Sequence, residues 1–200
     1  KLPEGMTVMR FDLSRSASLK EEMAVLGFLL DEPDSTQRYL DWYDRYIGEI
    51  QERASQIEDT DRVRVLLERE RSADSGPVAR WAYASETGYT DLADMAGGIN
   101  IASGYMEGNK DLETEFVIDR DPQVIIGLSY EGGYRSGDTE SMKSYYDEIM
   151  GVEGFGNISA VRDGRVHIIS GDFSIGPQLV VGALTVAKWL YPEQFGDLDP

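Results

Sequence analysis

Tyr39, Tyr43, Tyr46, Ile50, Ala54 and Ile57 recur at three- and four-residue steps, and Leu40 and Ile47 widen the stripe. This spacing predicts one uninterrupted amphipathic helix over residues 35–57. At 1.5 Å rise per residue it reaches about 34 Å, the height of a whole domain, so the chain has to fold along a spine. A second apolar set, Met23, Leu26, Leu29 and Leu30, follows Ser18 and Glu21 and stops before Pro33. Ser18 and Glu21 have capping-box spacing, which predicts a shorter helix ahead of the spine. Before both, residues 6–11 (Met-Thr-Val-Met-Arg-Phe) read as a short strand.

Beyond the spine the pattern alternates. Residues 63–67 read as a buried strand, and residues 68–88, which hold Trp81 and Tyr83 without a clear period, read as a long loop of the kind that usually carries function. A helix from Thr90 ends at Gly97-Gly98, where the order helix-then-strand argues for a C-cap and against a phosphate cradle. A short strand (99–102), a polar loop to Asp111, a short helix (113–119) ended by Pro122 and a buried strand (124–128) come next. The rest reads as a glycine and tyrosine loop (130–137), a helix (139–150), a turn at Asp163-Gly164, a strand (165–169) and a final helix (177–190). Strands separated by helices predict parallel pairing with right-handed crossovers. The expected fold is α/β: a Rossmann-like three-layer lobe with a mostly parallel central sheet, one long bridging helix and the tail of a second lobe. Residues 1–34 would be that tail, 35–57 the interdomain helix and 58–200 the α/β lobe.

Composition removes several functions. With 37 Asp+Glu against 19 Lys+Arg the formal charge is -18, and no basic patch offsets a field that repels nucleic acid. The chain has no cysteine and one histidine, which removes disulfides, thiolate metal sites and thiol nucleophiles and leaves little from which to build a multi-histidine zinc site or a Ser-His-Asp triad. The acid pairs Asp91/Asp94 and Asp119/Asp121 lack the rhythm of a calcium loop. No apolar run approaches the roughly 20 residues that span a bilayer, and residues 1–6 have no signal core. The chain is therefore read as soluble. Its start, inside what reads as a loop, suggests a piece of a longer precursor whose remainder held an export signal.

Four segments carry a family resemblance. Residues 90–101 (Thr-Asp-Leu-Ala-Asp-Met-Ala-Gly-Gly-Ile-Asn-Ile), 115–126 (Glu-Phe-Val-Ile-Asp-Arg-Asp-Pro-Gln-Val-Ile-Ile), 154–169 (with Ala-Val-Arg-Asp-Gly-Arg-Val) and 191–195 (Tyr-Pro-Glu-Gln-Phe) together resemble the helical-backbone class of ABC-transporter substrate-binding proteins. The resemblance runs through essentially the whole chain but matches only about the second half of that fold. It implies two lobes bridged by one long helix, with ligand between them and the N-terminal lobe mostly missing here. It also implies an extracytoplasmic protein, membrane-anchored at full length, that passes an iron-siderophore, haem or cobalamin to an ABC permease and has no resident cofactor or metal.

Clefts of this kind lie outside the carboxyl ends of parallel strands. Three segments qualify. The first offers Arg80, Trp81 and Tyr83, which either stack on and pair with an anionic chelate or anchor a long loop to the core. The second offers Tyr130, Tyr134 and Arg135, suited to ferric or carboxylate-rich ligands, or simply an exposed glycine turn. The third offers Asp172 and Phe173, facing ligand or packed under the last helix. The resemblance gives Glu115 the role of docking onto permease arginines; otherwise it only favours a helix N-terminus. His167 reads as structural. An enzyme domain and a stand-alone interaction module are the rival readings.

Overall fold

The structure, a computed structural model, describes residues 5–69, 79–85, 87–134, 137 and 139–199. Two helices open it, α1 (Ser16–Leu29) and α2 (Pro33–Ala54). Pro33 occupies the first turn of α2, where its missing N–H costs nothing. The spine is thus a single helix of 22 residues, starting two residues before the predicted bound and ending three before it. It buries Tyr43, Ile47, Ile50 and Ala54. The turn from α1 depends on Gly27, where a Cβ would lie 1.9 Å from Thr36 Oγ1.

Then follow β1 (Arg64–Arg69), β2 (Ala79–Ser85), α3 (Thr90–Met95), β3 (Ile99–Asn100), β4 (Gly108–Glu113), α4 (Thr114–Arg120) and β5 (Val124–Ser129). The chain closes with α5 (Glu140–Met150), α6 (Ser159–Arg162), β6 (Val166–Ser170), α7 (Leu179–Leu190) and α8 (Pro192–Phe195). The sheet order is β4-β2-β1-β5-β6, with β3 paired to β1. β1 is parallel to β3 and β5, and β5 to β6. One face packs on α2, α3 and α7 through Val65, Leu67, Ile126 and Leu184. The other carries Leu66, Ile125, Val117 and Tyr145 under α4 and α5.

Several expectations are corrected. Residues 6–11 are not a strand: Met6, Val8 and Met9 are exposed, and no described strand lies beside them to complete a ladder. The α1 N-cap is Arg15, with no side-chain cap, so Ser18 and Glu21 do not start that helix. The supposed loop at 68–88 contains β2, and the polar loop before Asp111 contains most of β4. Both were hidden by atypical burial: Arg80 is a charge on a buried face of β2, while β4 buries only Leu112. The sheet is mostly parallel, as expected, with β2 running antiparallel to β1 and β4.

The family-like segments have local work to do. Gly97, at φ +78, ends α3, with the Gly98 N–H on Ala93 O and the Gly97 N–H on Asp94 O, a Schellman motif. Buried Asn100 donates to Tyr83 O and Ala84 O, stitching β3 to β2. The Tyr191 hydroxyl accepts from Val63 N and donates to Gly97 O, fixing the entry to β1.

Candidate functional site

The parallel strands β1, β5 and β6 end level with one another, Arg69 opposite Leu128 and Ser129 opposite Ser170. Chain connections diverge beyond such ends and leave backbone groups free for a ligand. Arg69 continues the face of Val65 and Leu67, because side chains alternate along a strand. The register Glu68↔Ala82 sets Arg69 against Trp81 on the antiparallel neighbour. Its guanidinium carbon lies 4.4 Å from the Trp81 ring centre and 6.0 Å from that of Tyr130. Nη1 donates to the Tyr130 hydroxyl at 3.0 Å. The Tyr83 and Tyr89 rings, 4.7 Å apart, extend this group.

The electrostatics follow from the packing. Burial acts to raise the Tyr130 pKa, but hydrogen bonds from Tyr83 and Arg69, with the guanidinium charge, outweigh it and lower the value. Burial and the bond to Tyr130 push Tyr83 up. Among the described residues, the buried Nε of Arg69 and Nε1 of Trp81 have no hydrogen-bond partner. Leaving a buried donor unsatisfied costs about 1–3 kcal/mol, so an acceptor placed at either nitrogen would be favourable.

A second group adjoins it. The Tyr134 and Phe173 rings meet at 5.0 Å, tilted by 56°. Asp172 Oδ2 accepts the Tyr134 N–H at 3.1 Å, and Ser170 Oγ accepts the Asp172 N–H. Tyr130 and Tyr134 are 62% and 69% exposed, so their rings face solvent. Beside Phe173 an apolar groove of about 370 Å³ runs along β6 past Ile168, Val181 and Trp189.

Trp81, Tyr83 and Tyr130 are thus brought together, and Tyr134, Asp172 and Phe173 form the neighbouring group. Arg80 is not among them. Strand alternation turns it to the opposite face, where it is buried, donating through Nε and Nη2 to both carboxylate oxygens of Glu68 and through Nη1 to Glu148. Tyr145 also donates to Glu68, at 3.1 Å. Burial alone would lower the Arg80 pKa, yet the Glu68 contacts raise it. Arg80 is a structural charge. Arg135 lies outside the described residues. His167 stacks on Trp189 at 4.5 Å, and burial beside Arg165 lowers its pKa to about 4.

Glu115 is exposed in the first turn of α4. Among the described residues no three His, Cys, Asp or Glu side chains are grouped to hold a metal, and no helix is long and apolar enough to cross a membrane. Sequence reasoning missed Arg69 and Tyr89. Arg69 was detectable as the next residue on the inward face after Val65 and Leu67. Tyr89 abuts the α3 N-terminus and had no comparable signal.

Planar rings and a guanidinium suit a planar or oxygen-rich anion. The α/β lobe presents these groups at its strand ends, flanked by the 22-residue helix α2. The sequence model described as "Periplasmic binding protein" matches residues 1–172, and the chain belongs to that family of substrate-binding transport proteins. It is 26% identical over 117 residues to the molybdate-binding protein MolA of Haemophilus influenzae, covering 56% of this chain and 30% of MolA. Among solved structures it is similar to the TroA-like periplasmic binding protein FepB of Veillonella parvula, with TM-score 0.76, 20% identity and coverage of 90% of this chain and 54% of that one. It is also similar to the periplasmic haem-binding protein RhuT of Roseiflexus sp. RS-1, with TM-score 0.69, 20% identity and coverage of 88% and 62%. The chain therefore spans less than two thirds of the length of each of these proteins.

Proposed function

We propose that this chain is the C-terminal lobe, with the bridging helix, of an extracytoplasmic substrate-binding component of an ABC importer. It captures an iron chelate or related metal cofactor and delivers it to the permease, acting by binding and not by catalysis. The observation that carries this reading is the Arg69–Trp81–Tyr130 group, a cation between aromatic rings with two buried donors that have no acceptor among the described residues. A guanidinium fixed on a ring pairs with carboxylate or catecholate oxygens while the rings stack on a planar ligand. The broad exposed faces of Tyr130 and Tyr134 favour a wide chelate over a compact oxyanion such as molybdate.

Residues 1–34 are read as belonging to a first lobe and residues 35–57 as the connector. Exposed Met6, Val8, Met9, Phe28, Leu29 and Leu30 support that division, because so much apolar surface on one end of a chain calls for a covering partner. A stiff α2 then limits closure to small rotations, since bending a long packed helix breaks many contacts together. Glu115 meets the permease. Native mass spectrometry of the full-length protein purified from its source tests the reading. A retained metal chelate is expected; a protein that carries no ligand and takes up neither haemin nor a ferric siderophore contradicts it.

A further inference from the structure

We infer that the apolar groove along the outer edge of β6 receives an amide-linked apolar arm of the transported chelate, laid against β6 as a short extra strand. The inference rests on the importer reading and narrows it to one class of ligand, a peptidic chelate. The groove opens from the candidate site. Phe173 lines its upper end and meets the Tyr134 ring at 5.0 Å. Ser170 lines it too, and its Oγ accepts the N–H of Asp172, whose carboxylate accepts the N–H of Tyr134. A ligand whose head rests on the rings of Tyr130 and Tyr134 therefore has this groove beside it.

The sheet order makes β6 an edge, with β5 on one side and no described strand on the other. Its side chains alternate between faces. Ile168 turns to the α5 face, where its Cδ1 and the Tyr145 ring flank Gly127, while Ile169 joins the core beneath α7. A groove lined by both, by Met142 of α5 and by Val181, Thr185 and Trp189 of α7 lies across the free edge, with one helix as each wall. α7 runs back along β6. A Cβ on Gly182 would lie 2.0 Å from Phe173 O at one end, and Arg165, just before β6, donates to Trp189 O at the other. Val181, Thr185 and Trp189 follow at four-residue steps and so form one stripe about 12 Å long. The Trp189–His167 stack marks its far end.

Two features select the occupant. Among the described residues that line the groove none is charged, although the chain holds 37 Asp+Glu and 19 Lys+Arg. Both walls therefore favour uncharged apolar groups. The floor is different. The Ile125 N–H donates to Arg165 O, so in this parallel ladder Arg165, His167 and Ile169 turn their main-chain groups to β5, and Val166, Ile168 and Ser170 turn theirs outward. Ser170 O accepts from the Ser174 hydroxyl, and the N–H and C=O of Ile168 turn onto the groove. A plain hydrocarbon tail would cover those two groups without pairing them, which is unfavourable. An extended amide chain pairs with both while its side groups fill the walls, as in strand addition. At about 3.3 Å per residue the stripe holds about three to four residues.

The test is calorimetric titration of the full-length protein with two ferric probes, a tris-catecholate alone and the same tris-catecholate carrying a tri-leucine amide arm. The arm is expected to tighten binding at least tenfold. Thr185→Arg and Met142→Arg each place a charge in one wall and should remove that gain, with affinity for the armless probe and melting temperature unchanged. The two lie on separate helices, so misfolding of one leaves the other to decide. N-methylation of the arm's amides should abolish the gain, and an N-methylated arm that binds as tightly refutes pairing with β6. An arm that fails to tighten binding tenfold, or a gain that survives both substitutions, overturns the inference; the importer reading then stands if Arg69→Met still weakens the armless probe. If the wild type binds neither probe nor haemin, both fall. Tri-leucine amide that binds as tightly without the iron-bearing head would make a protein strand the occupant and overturn the inference.

Discussion

Asp172 accepts the backbone N–H of Tyr134 at 3.1 Å, tying the loop after β5 to the turn after β6 across 38 residues. Gly133 makes the approach possible: its φ is +77, and a Cβ there would lie 2.4 Å from Asp172 Oδ2. Gly133→Ala should therefore cost about 1–3 kcal/mol in backbone strain and displace both Tyr134 and Asp172. Urea unfolding should report the loss, and haemin or ferric-chelate titration of the full-length protein should weaken in parallel. Unchanged stability would mean that the loop yields freely.

The pair Arg80–Glu68 makes a different prediction. Removing one partner of a buried ion pair leaves an uncompensated charge and costs about 3–5 kcal/mol, whereas replacing both with apolar residues is often neutral or better. Arg80→Met should fall in that destabilised range in chemical denaturation, and Glu68→Met/Arg80→Met should recover most of it. Equal losses in the single and double variants would count against the ion pair as the reason Arg80 is buried.

The same pair explains where the sequence was hard to read. The spine was legible because its apolar residues keep one helical period over many turns, and the strands at 63–67, 124–128 and 165–169 because they are short segments rich in Val, Ile and Leu. β2 was not, since Arg80 occupies a buried position and its compensating charges, Glu68 and Glu148, are 12 and 68 residues away. β4 is an edge with little to bury, so its residues look like loop. In the candidate site, Trp81, Tyr83 and Tyr130 were proposed from residue type near strand ends, and the fold brings them together around Arg69. Arg69 could be read as the next inward-facing residue after Leu67, but its contacts with Trp81 and Tyr130, and that of Tyr89 with Tyr83, follow only from register and packing.

Tyr130 should titrate below the ordinary tyrosine range, because Tyr83 and Arg69 favour its phenolate over the opposing effect of burial. A lowered folded pKa contributes stability above the unfolded value that is lost as pH falls through the folded one. Near-ultraviolet absorbance of tyrosinate should reveal one early-titrating group, and Arg69→Met should move it upward. No change in that variant would remove Arg69 as a cause.

His167 gives the opposite dependence. Its pKa falls from 6.5 to about 4 through burial and the nearby Arg165, so the unfolded chain takes up the proton first. Its contribution is complete above pH 6.5 and declines as pH falls through 6.5 towards 4. His167→Phe, which keeps a ring on Trp189, should flatten the thermal stability profile across that window. A profile as steep as that of wild type would assign the acid sensitivity elsewhere.

The central claim is that the ring-and-guanidinium corner at the ends of β1 and β5 receives the transported ligand. It is tested most directly by equilibrium titration of the full-length protein, wild type and Arg69→Met, with haemin, ferric siderophores and molybdate. Saturable binding of a metal chelate, weakened at least tenfold by Arg69→Met while the melting temperature holds, is the result expected. Binding of equal strength in the two proteins would contradict it.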